Sequence, residues 1–222
     1  MALILNIDTS LETASVCLAK DAVAVKLLIN ENQRDHASWI HNAIHLALQD
    51  SGCLITELEA VAVSNGPGSY TGLRVGLATA KGLCYGLGIP LITISTLKMM
   101  ATAVKHKASD LICPMIDARR MEVFTAVYNK DLLELSPAQA MIIDETSYTP
   151  FLSVHQILFC GSGSKKLQNI LSSANAHFEN LHSNAFHLAE LAEINFQNKE
   201  FANLAYAEPL YIKEFYTAER KN

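Results

Sequence analysis

Residues 60–95 read AVAVSNGPGSYTGLRVGLATAKGLCYGLGIPLITIS, and this stretch decides the fold class. It begins with a strand-like run at 60–64, passes through a glycine-rich turn at 66–72 into a helical stretch that ends near Leu87, and closes with the strand-like run Leu91–Ser95. Two short apolar runs joined by a helix of this length are typical of a βαβ unit with parallel strands. The stretch therefore predicts an α/β fold.

The elements predicted on either side of this unit follow one pattern twice. Up to Lys107 the order is β-β-β-α-β-α-β-α, and a shortened copy of it follows. This repetition predicts two lobes, residues 1–107 and a smaller lobe of residues 108–222, with a cleft between them. We expect the last helix, residues 186–196, to pack back on the first lobe. The other predicted strands are 2–7, 13–19, 23–29, 111–116, 122–128, 138–143 and 157–160, and the other predicted helices are 36–50, 96–105, 144–152 and 164–172, the last capped by Ser164.

The composition excludes several classes of protein. Half of the 222 residues are hydrophobic and 18% are charged, which is typical of a globular protein and not of a disordered one. The net charge of −5 disfavours tight RNA binding by the chain alone. The longest uncharged stretch, between Lys81 and Lys98, contains glycines and a proline and is short for a membrane span. With no basic leader and no CxxC pair, the chain is expected to be cytoplasmic, with reduced cysteines.

Two glycine-rich loops and one carboxylate form a candidate nucleotide or anion site. Each loop lies between a predicted strand and a predicted helix, where backbone N–H groups favour an anion. The first loop matches neither the dinucleotide fingerprint nor the P-loop, so a tight structural turn is the alternative. Asp8, at the end of the first strand, can hold the magnesium of a nucleotide or cap its own turn. The candidate residues are Asp8, Thr9, Gly66, Gly68, Ser69, Gly161 and Gly163.

Glycines also recur inside the helix that follows the first loop. Each interior glycine costs about 1 kcal/mol relative to alanine, so a backbone is expected to approach this helix closely. That backbone belongs either to the chain's own sheet or to a second chain. On the second hypothesis, leucine at Gly76 or Gly82 is expected to abolish pairing and leave the fold intact. At about 100° per residue one arc contains Gly72, Val75, Gly76, Thr79, Gly82, Leu83 and Gly86.

His41 and His45 form an HxxxH pair on the predicted helix 36–50. This spacing places two imidazoles on one helix face, as zinc sites require. Position 42 is asparagine, so the HExxH motif of metalloproteases is absent, and the sequence shows no third ligand. We therefore predict surface histidines and no bound metal.

The chain resembles the TsaB (YeaZ) family. The resemblance rests on ILNIDTS at 4–10, TASVCLA at 13–19, VSNGPGSYTGLRVGLATAKGLCYGLGIPLITISTL at 63–97, DARRMEVFTAVY at 117–128 and EPLYIKEF at 208–215. It implies a two-lobed fold of the actin-like, Hsp70 and sugar-kinase ATPase superfamily (RNase H-like), with a reduced second lobe. It also implies a subunit of the bacterial machinery that makes threonylcarbamoyladenosine next to the anticodon, in tRNAs that read codons beginning with A.

The resemblance further implies a subunit without catalytic residues. In the paralogous transferase TsaD, the equivalent glycine-rich stretch leads directly into a metal-binding HxxxH, whereas residues 94–100 here read ISTLKMM. ATP and metal would then belong to the partners. The implied partners are a TsaD-like transferase, a TsaE-like ATPase, tRNA through the complex, and a second copy when the chain is alone. Arg119 and Arg120 are the candidate tRNA contacts.

The resemblance assigns the pairing surface to the helices at 34–49 and 72–87. The first helix would contribute Ile40, His41, Ile44 and His45 beside the glycine stripe. The alternative function is a stand-alone ATPase or small kinase that uses Asp8 and both glycine loops. A glycoprotease is a third hypothesis, and the missing metal ligands argue against it.

Overall fold

The computed structural model describes residues 2–32, 35–181 and 183–213. The expected helix start at residue 34 and the end of the chain, 214–222, lie outside these ranges. None of the described helices combines the length and the hydropathy needed to cross a bilayer. The strands are β1 (Leu3–Asp8), β2 (Ala14–Lys20), β3 (Val23–Asn30), β4 (Ala60–Gly66), β5 (Leu91–Ser95), β6 (Leu111–Asp117), β7 (Glu122–Asn129), β8 (Glu134–Ile142), β9 (Ile157–Cys160) and β10 (Ala176–Glu179), and the helices are α1 (His36–Ser51), α2 (Tyr70–Leu87), α3 (Thr96–Val104), α4 (Thr149–Leu152), α5 (Ser164–Gln168) and α6 (Phe186–Gln197).

The first sheet has the order β3-β2-β1-β4-β5, with β1 at its centre. β1 pairs antiparallel with β2 and parallel with β4, and every residue of β1 is buried. Both faces of the strand are covered, which is why its sequence is a nearly continuous apolar run. On one face Leu5 shares a core with Ile44 of α1 and Leu77 of α2. On the other face Ile4 shares a core with Leu191 of α6.

The second sheet repeats the topology of the first. Its order is β10-β9-β6-β7-β8, so β6 takes the place of β1 and the strands run in corresponding directions. α3 and α6 lie between the two sheets, where Leu97 and Leu188 share one core with Ile92 of the first sheet and Ile112 of the second. The repeated order of elements is thus a repeated fold, as the sequence predicted. The boundary at residue 107 stays a prediction.

The second half differs from the prediction at four elements. The helix predicted at 144–152 begins only at Thr149. β8 begins at Glu134, and β10 was not predicted at all. β10 is a short edge strand, Ala176–Glu179, which forms through its pairing with β9 and carries little pattern of its own. Ser164 does not cap α5, because Gly163 holds the N-cap position and the Ser164 hydroxyl donates to the Gly161 carbonyl at 2.7 Å. α5 also ends at Gln168, four residues early.

After α6 the chain returns along the edge of the first sheet. We call residues 201–213 the C-terminal strap. The Ala202 N–H donates to the Leu91 carbonyl at 2.8 Å, so the strap covers the exposed edge of β5. At its far end Lys213 forms an ion pair of 2.5 Å with Glu122 of β7 in the second sheet. The strap therefore contacts both sheets.

Candidate functional site

The first half of the glycine stripe packs on the chain's own sheet. The Thr9 hydroxyl donates to the Gly72 carbonyl at 2.6 Å, so α2 begins in direct contact with the end of β1. A Cβ at Gly72 would overlap the Thr9 carbonyl, and a Cβ at Gly76 would overlap the Thr9 side chain. The expectation that Gly76→Leu leaves the fold intact is therefore wrong. These two glycines are required by close packing within the chain.

The second half of the stripe faces open space. No atom lies within 4 Å of the positions that a Cβ would take at Gly82 and Gly86, and both residues are exposed. Tyr85, between them, keeps 85% of its surface exposed. Nothing within the described chain therefore explains why these two helix positions are glycine. We call the exposed positions of this helix the α2 face: Thr71, Arg74, Ala78, Gly82, Tyr85 and Gly86.

Several residues predicted for the pairing surface belong to the core instead. Ile40 and Ile44 of α1 are 0% and 5% exposed and pack against the first sheet. Thr79 is buried, while Val75 and Leu83 are half-buried against the same core. Their apolar side chains follow the helix period because they face the sheet, which the sequence could not separate from a partner. The sequence missed Ala78 and Tyr85, although the helical period places both beside Gly82.

His41 and His45 are exposed on α1, as surface histidines should be. Among the described residues, no group of three or more His, Cys, Asp or Glu side chains is placed to hold a metal ion. The HxxxH pair therefore gains no third ligand from the part of the chain that the structure shows. Arg119 and Arg120 form the exposed turn between β6 and β7, with φ values of 69° and 50°. Their contact with tRNA stays a prediction.

Asp8 points into the protein. Its side chain is completely buried, and its Oδ1 accepts from the Ser10 N–H at 3.0 Å, the Ser10 hydroxyl at 2.6 Å and the Ser64 hydroxyl at 2.5 Å. Its Oδ2 is buried without a hydrogen-bond partner. Burial raises the pKa of Asp8 above its ordinary value of 3.8, and the serine hydrogen bonds counteract part of that rise. The Oδ1 atom therefore caps the turn after β1 and bonds to β4, and a magnesium role for Asp8 stays a prediction.

The first glycine loop directs two of its N–H groups to acceptors within the chain. The Ser69 N–H donates to the Ser10 carbonyl at 2.7 Å, and the Gly72 N–H donates to the Ser69 hydroxyl at 3.3 Å. A Cβ at Gly68 would overlap the same Ser10 carbonyl, so the loop is pressed against the turn after β1. An anion site needs N–H groups that point at the ligand. These contacts favour the tight structural turn over the anion site.

The second loop and the strap close the rest of the predicted nucleotide site. The Gly163 N–H donates to the Met115 carbonyl at 3.0 Å, and Gly161, at φ 91°, lies against the same carbonyl. Gly66 adopts φ 126°, and its missing Cβ leaves room for the Leu210 carbonyl of the strap, 2.5 Å from the Cβ position. Backbone carbonyls of the chain therefore lie beside Gly66, Gly161 and Gly163, and nucleotide binding at these loops stays a prediction.

The comparison with known families gives the class of protein. Residues 30–219 match the family model described as TsaD, tRNA N6-adenosine threonylcarbamoyltransferase. The fold agrees: the activator of 2-hydroxyisocaproyl-CoA dehydratase from Clostridium difficile, solved with bound ADPNP, superposes with a TM-score of 0.52 at 9% identity over 90% of this chain and 98% of that one. The chain therefore has the two-lobed, ATPase-like α/β fold that the sequence predicted.

Individual relatives narrow the class to one family. The TsaB protein of Haemophilus influenzae is 30% identical over 95% of this chain and 93% of its own length. The Bacillus subtilis TsaB is 36% identical over 56% of this chain, and the match spans about half, 54%, of that relative. A Pseudomonas aeruginosa protein with similarity to peptidase YeaZ superposes with a TM-score of 0.86 at 24% identity, over 96% of this chain and 100% of that one. The chain belongs to the TsaB (YeaZ) family.

Two glycine-to-alanine variants separate the two halves of the stripe. Gly72→Ala is expected to destabilise the fold by about 1–3 kcal/mol, because its Cβ overlaps the Thr9 carbonyl. Gly82→Ala adds the same methyl group in open space and is expected to stabilise α2 by about 0.5–1 kcal/mol. Urea unfolding followed by circular dichroism measures both. Equal effects of the two substitutions would contradict this division of the stripe.

Asp8→Asn tests the buried carboxylate through its pH dependence. The unfolded chain loses the Asp8 proton near pH 3.8, whereas the folded chain holds it to higher pH because burial disfavours the charge. Between these two pKa values the folded state binds more protons, so the wild-type free energy of unfolding falls as pH rises. Asparagine can keep all three hydrogen bonds to Oδ1 and does not ionise. The free energy of unfolding of Asp8→Asn minus that of wild type is therefore expected to increase as the pH rises from 4. Urea unfolding curves at several pH values measure this difference. A difference that does not change with pH would contradict the raised pKa of Asp8.

Proposed function

We propose that this chain takes part in the synthesis of threonylcarbamoyladenosine in tRNA as the non-catalytic partner of a TsaD-like transferase. The modified base would be the adenosine next to the anticodon in tRNAs that read codons beginning with A. The family supports the pathway, since its members are named as tRNA threonylcarbamoyladenosine biosynthesis proteins. The role within the pathway is argued from the surface of the chain.

The observation that carries the proposal is the exposed glycine face of α2. Glycine at positions 82 and 86 destabilises the helix by about 2 kcal/mol relative to alanine. Among the described residues, no close contact requires glycine at either position. Glycine and Ala78 leave a shallow surface on which the backbone of another helix can pack closely, while the exposed Tyr85 supplies an aromatic contact. A helical partner on this face accounts for all of these residues.

A non-catalytic role is supported by how the chain uses its loops. The Ser69 N–H of the first loop bonds to the turn after β1, and Asp8 accepts hydrogen bonds from Ser10 and Ser64. Residues 94–100, where TsaD is expected to carry histidine ligands, form the end of β5 and the start of α3 and read ISTLKMM. In this proposal the chain holds no cofactor firmly, and ATP and metal belong to the partners.

The remaining partners follow from the same proposal. A TsaE-like ATPase would bind the assembled pair, and tRNA would be reached through the complex. In isolation the α2 face would pair with a second copy of the chain, because the face is equally uncovered there. His41 and His45 of α1 are the exposed polar residues expected beside this interface.

Gly82→Leu is the decisive variant for partner binding. The added side chain fills the space above the helix, so the dissociation constant for the TsaD of the same organism is expected to rise at least about tenfold, which corresponds to roughly 1.4 kcal/mol. The fold is expected to be at least as stable as wild type, because leucine favours helix more than glycine. Isothermal titration calorimetry gives the affinity, and a tRNA threonylcarbamoylation assay with and without the chain gives its requirement.

Two controls accompany this experiment. Gly82→Ala keeps the surface shallow, and Gln197→Leu places the same leucine on an exposed position of α6. Both are expected to bind the transferase much more tightly than Gly82→Leu. Wild-type affinity of Gly82→Leu would contradict the assignment of the face. Micromolar ATP binding with turnover by the chain alone would instead favour the stand-alone ATPase or kinase.

A further inference from the structure

The C-terminal strap runs along one side of α2. The Lys81 ammonium donates to the carbonyls of Ala205 and Ala207 at 3.2 and 3.0 Å. Arg74 lies two turns earlier on the same side of the helix, and its Nε donates to the Tyr211 hydroxyl at 3.0 Å. The strap therefore follows α2 in the antiparallel direction from its second half to its first turn.

Backbone contacts fix the strap at both ends of this path. The Ala202 N–H bonds to the carbonyl of Leu91 in β5, and the Leu210 N–H bonds to the Asn65 carbonyl at 2.7 Å. Between them Leu204 and Ala207 pack against the core beneath α1 and α2. The strap is thus an ordered part of the first sheet's surface, with its position relative to α2 set by several independent bonds.

α1, α2 and the strap lie side by side in that order. α1 packs over β2 and β3, α2 packs mainly over β4, and the strap pairs with β5 at the edge of the sheet. Since the sheet order is β3-β2-β1-β4-β5, the three elements form one layer. The α2 face is the middle of this layer, and a helix that lies on Gly82 has α1 on one side and the strap on the other.

Tyr206 is the most exposed of the large hydrophobic side chains in the strap. It lies between the two carbonyls held by Lys81, and 81% of its surface is exposed. Tyr85 lies one turn beyond Lys81 on α2 and is 85% exposed. Two large aromatic side chains so far exposed, on adjacent and firmly held elements, are typical of binding anchors, because tyrosine loses little rotamer entropy when it is covered.

We infer that the strap is the third element of the partner-binding face, with Tyr206 as an anchor residue. The inference rests on the proposed function and names a further part of the same interface. The occupant is a helix of the transferase that presents small and apolar side chains, since the centre of the layer offers Ala78, Gly82 and two tyrosine rings. The strap borders that surface, because Lys81 of α2 bonds directly to the carbonyls on both sides of Tyr206.

Tyr206→Ala tests the inference. The variant is expected to bind the TsaD of the same organism about tenfold more weakly in calorimetry, as truncation of an anchor residue does. Its melting temperature is expected to stay at the wild-type value, since Tyr206 is 81% exposed and the strap is held by backbone groups. Ile142→Ala is the matched control, because Ile142 is 75% exposed on β8 of the second sheet. That control is expected to bind like wild type.

The possible outcomes distinguish a failure of this inference from a failure of the proposed function. If wild type binds, Gly82→Leu does not, and Tyr206→Ala binds as tightly as Ile142→Ala, the strap lies outside the interface and the inference fails alone. If Tyr206→Ala changes only self-association of the chain, the inference fails as well, because the occupant is then a second copy. If wild type does not bind the transferase, the proposed function fails and the inference fails with it.

Discussion

The contact between the end of β1 and the first turns of α2 determines much of this structure. Thr9 follows the central strand of the first sheet, and its hydroxyl and carbonyl both lie against α2 at Gly72. A side chain at Gly72 would push the helix away from the strand. With glycine there, α2 is held at a fixed height over the sheet, and the positions on its opposite side are set by the same geometry.

This contact also explains why the glycine loop has the sequence of a phosphate-binding loop but the contacts of a structural turn. Both kinds of loop need glycine so that a backbone can approach closely, and in this chain the approaching group is the chain's own Ser10 carbonyl. A hydrogen bond to a carbonyl and one to a phosphate use the same N–H group, so they are mutually exclusive. The Leu210 carbonyl beside Gly66 adds a second internal occupant. A phosphate-binding loop and a structural turn can therefore have the same glycine-rich pattern.

α1, α2 and the strap form one layer on the first sheet, and this layer contains the two most exposed tyrosines of the described chain, Tyr85 and Tyr206. The three elements are held to that sheet by burial on one side, and hydrogen bonds from Lys81 and Arg74 join α2 to the strap. The second half of α2 exposes glycine, alanine and tyrosine, whereas the exposed side of α1 is mostly polar. The second sheet contributes to this arrangement through the Lys213–Glu122 ion pair at the end of the strap.

The sequence by itself determined the α/β class, the repeated strand order and the family, because apolar periodicity and the glycine-rich stretch are local signals. It also located α1, α2 and the glycines. It could not show that Gly72 and Gly76 are packed against the chain while Gly82 and Gly86 are exposed. All four lie on one arc of the helix, and only the position of Thr9 distinguishes the two pairs. It likewise placed Ile40 and Ile44 on a partner surface, although the sheet covers them. Those divisions, and the path of the strap across β5 and α2, were decided by tertiary structure, because burial depends on which residues meet across long separations in the chain.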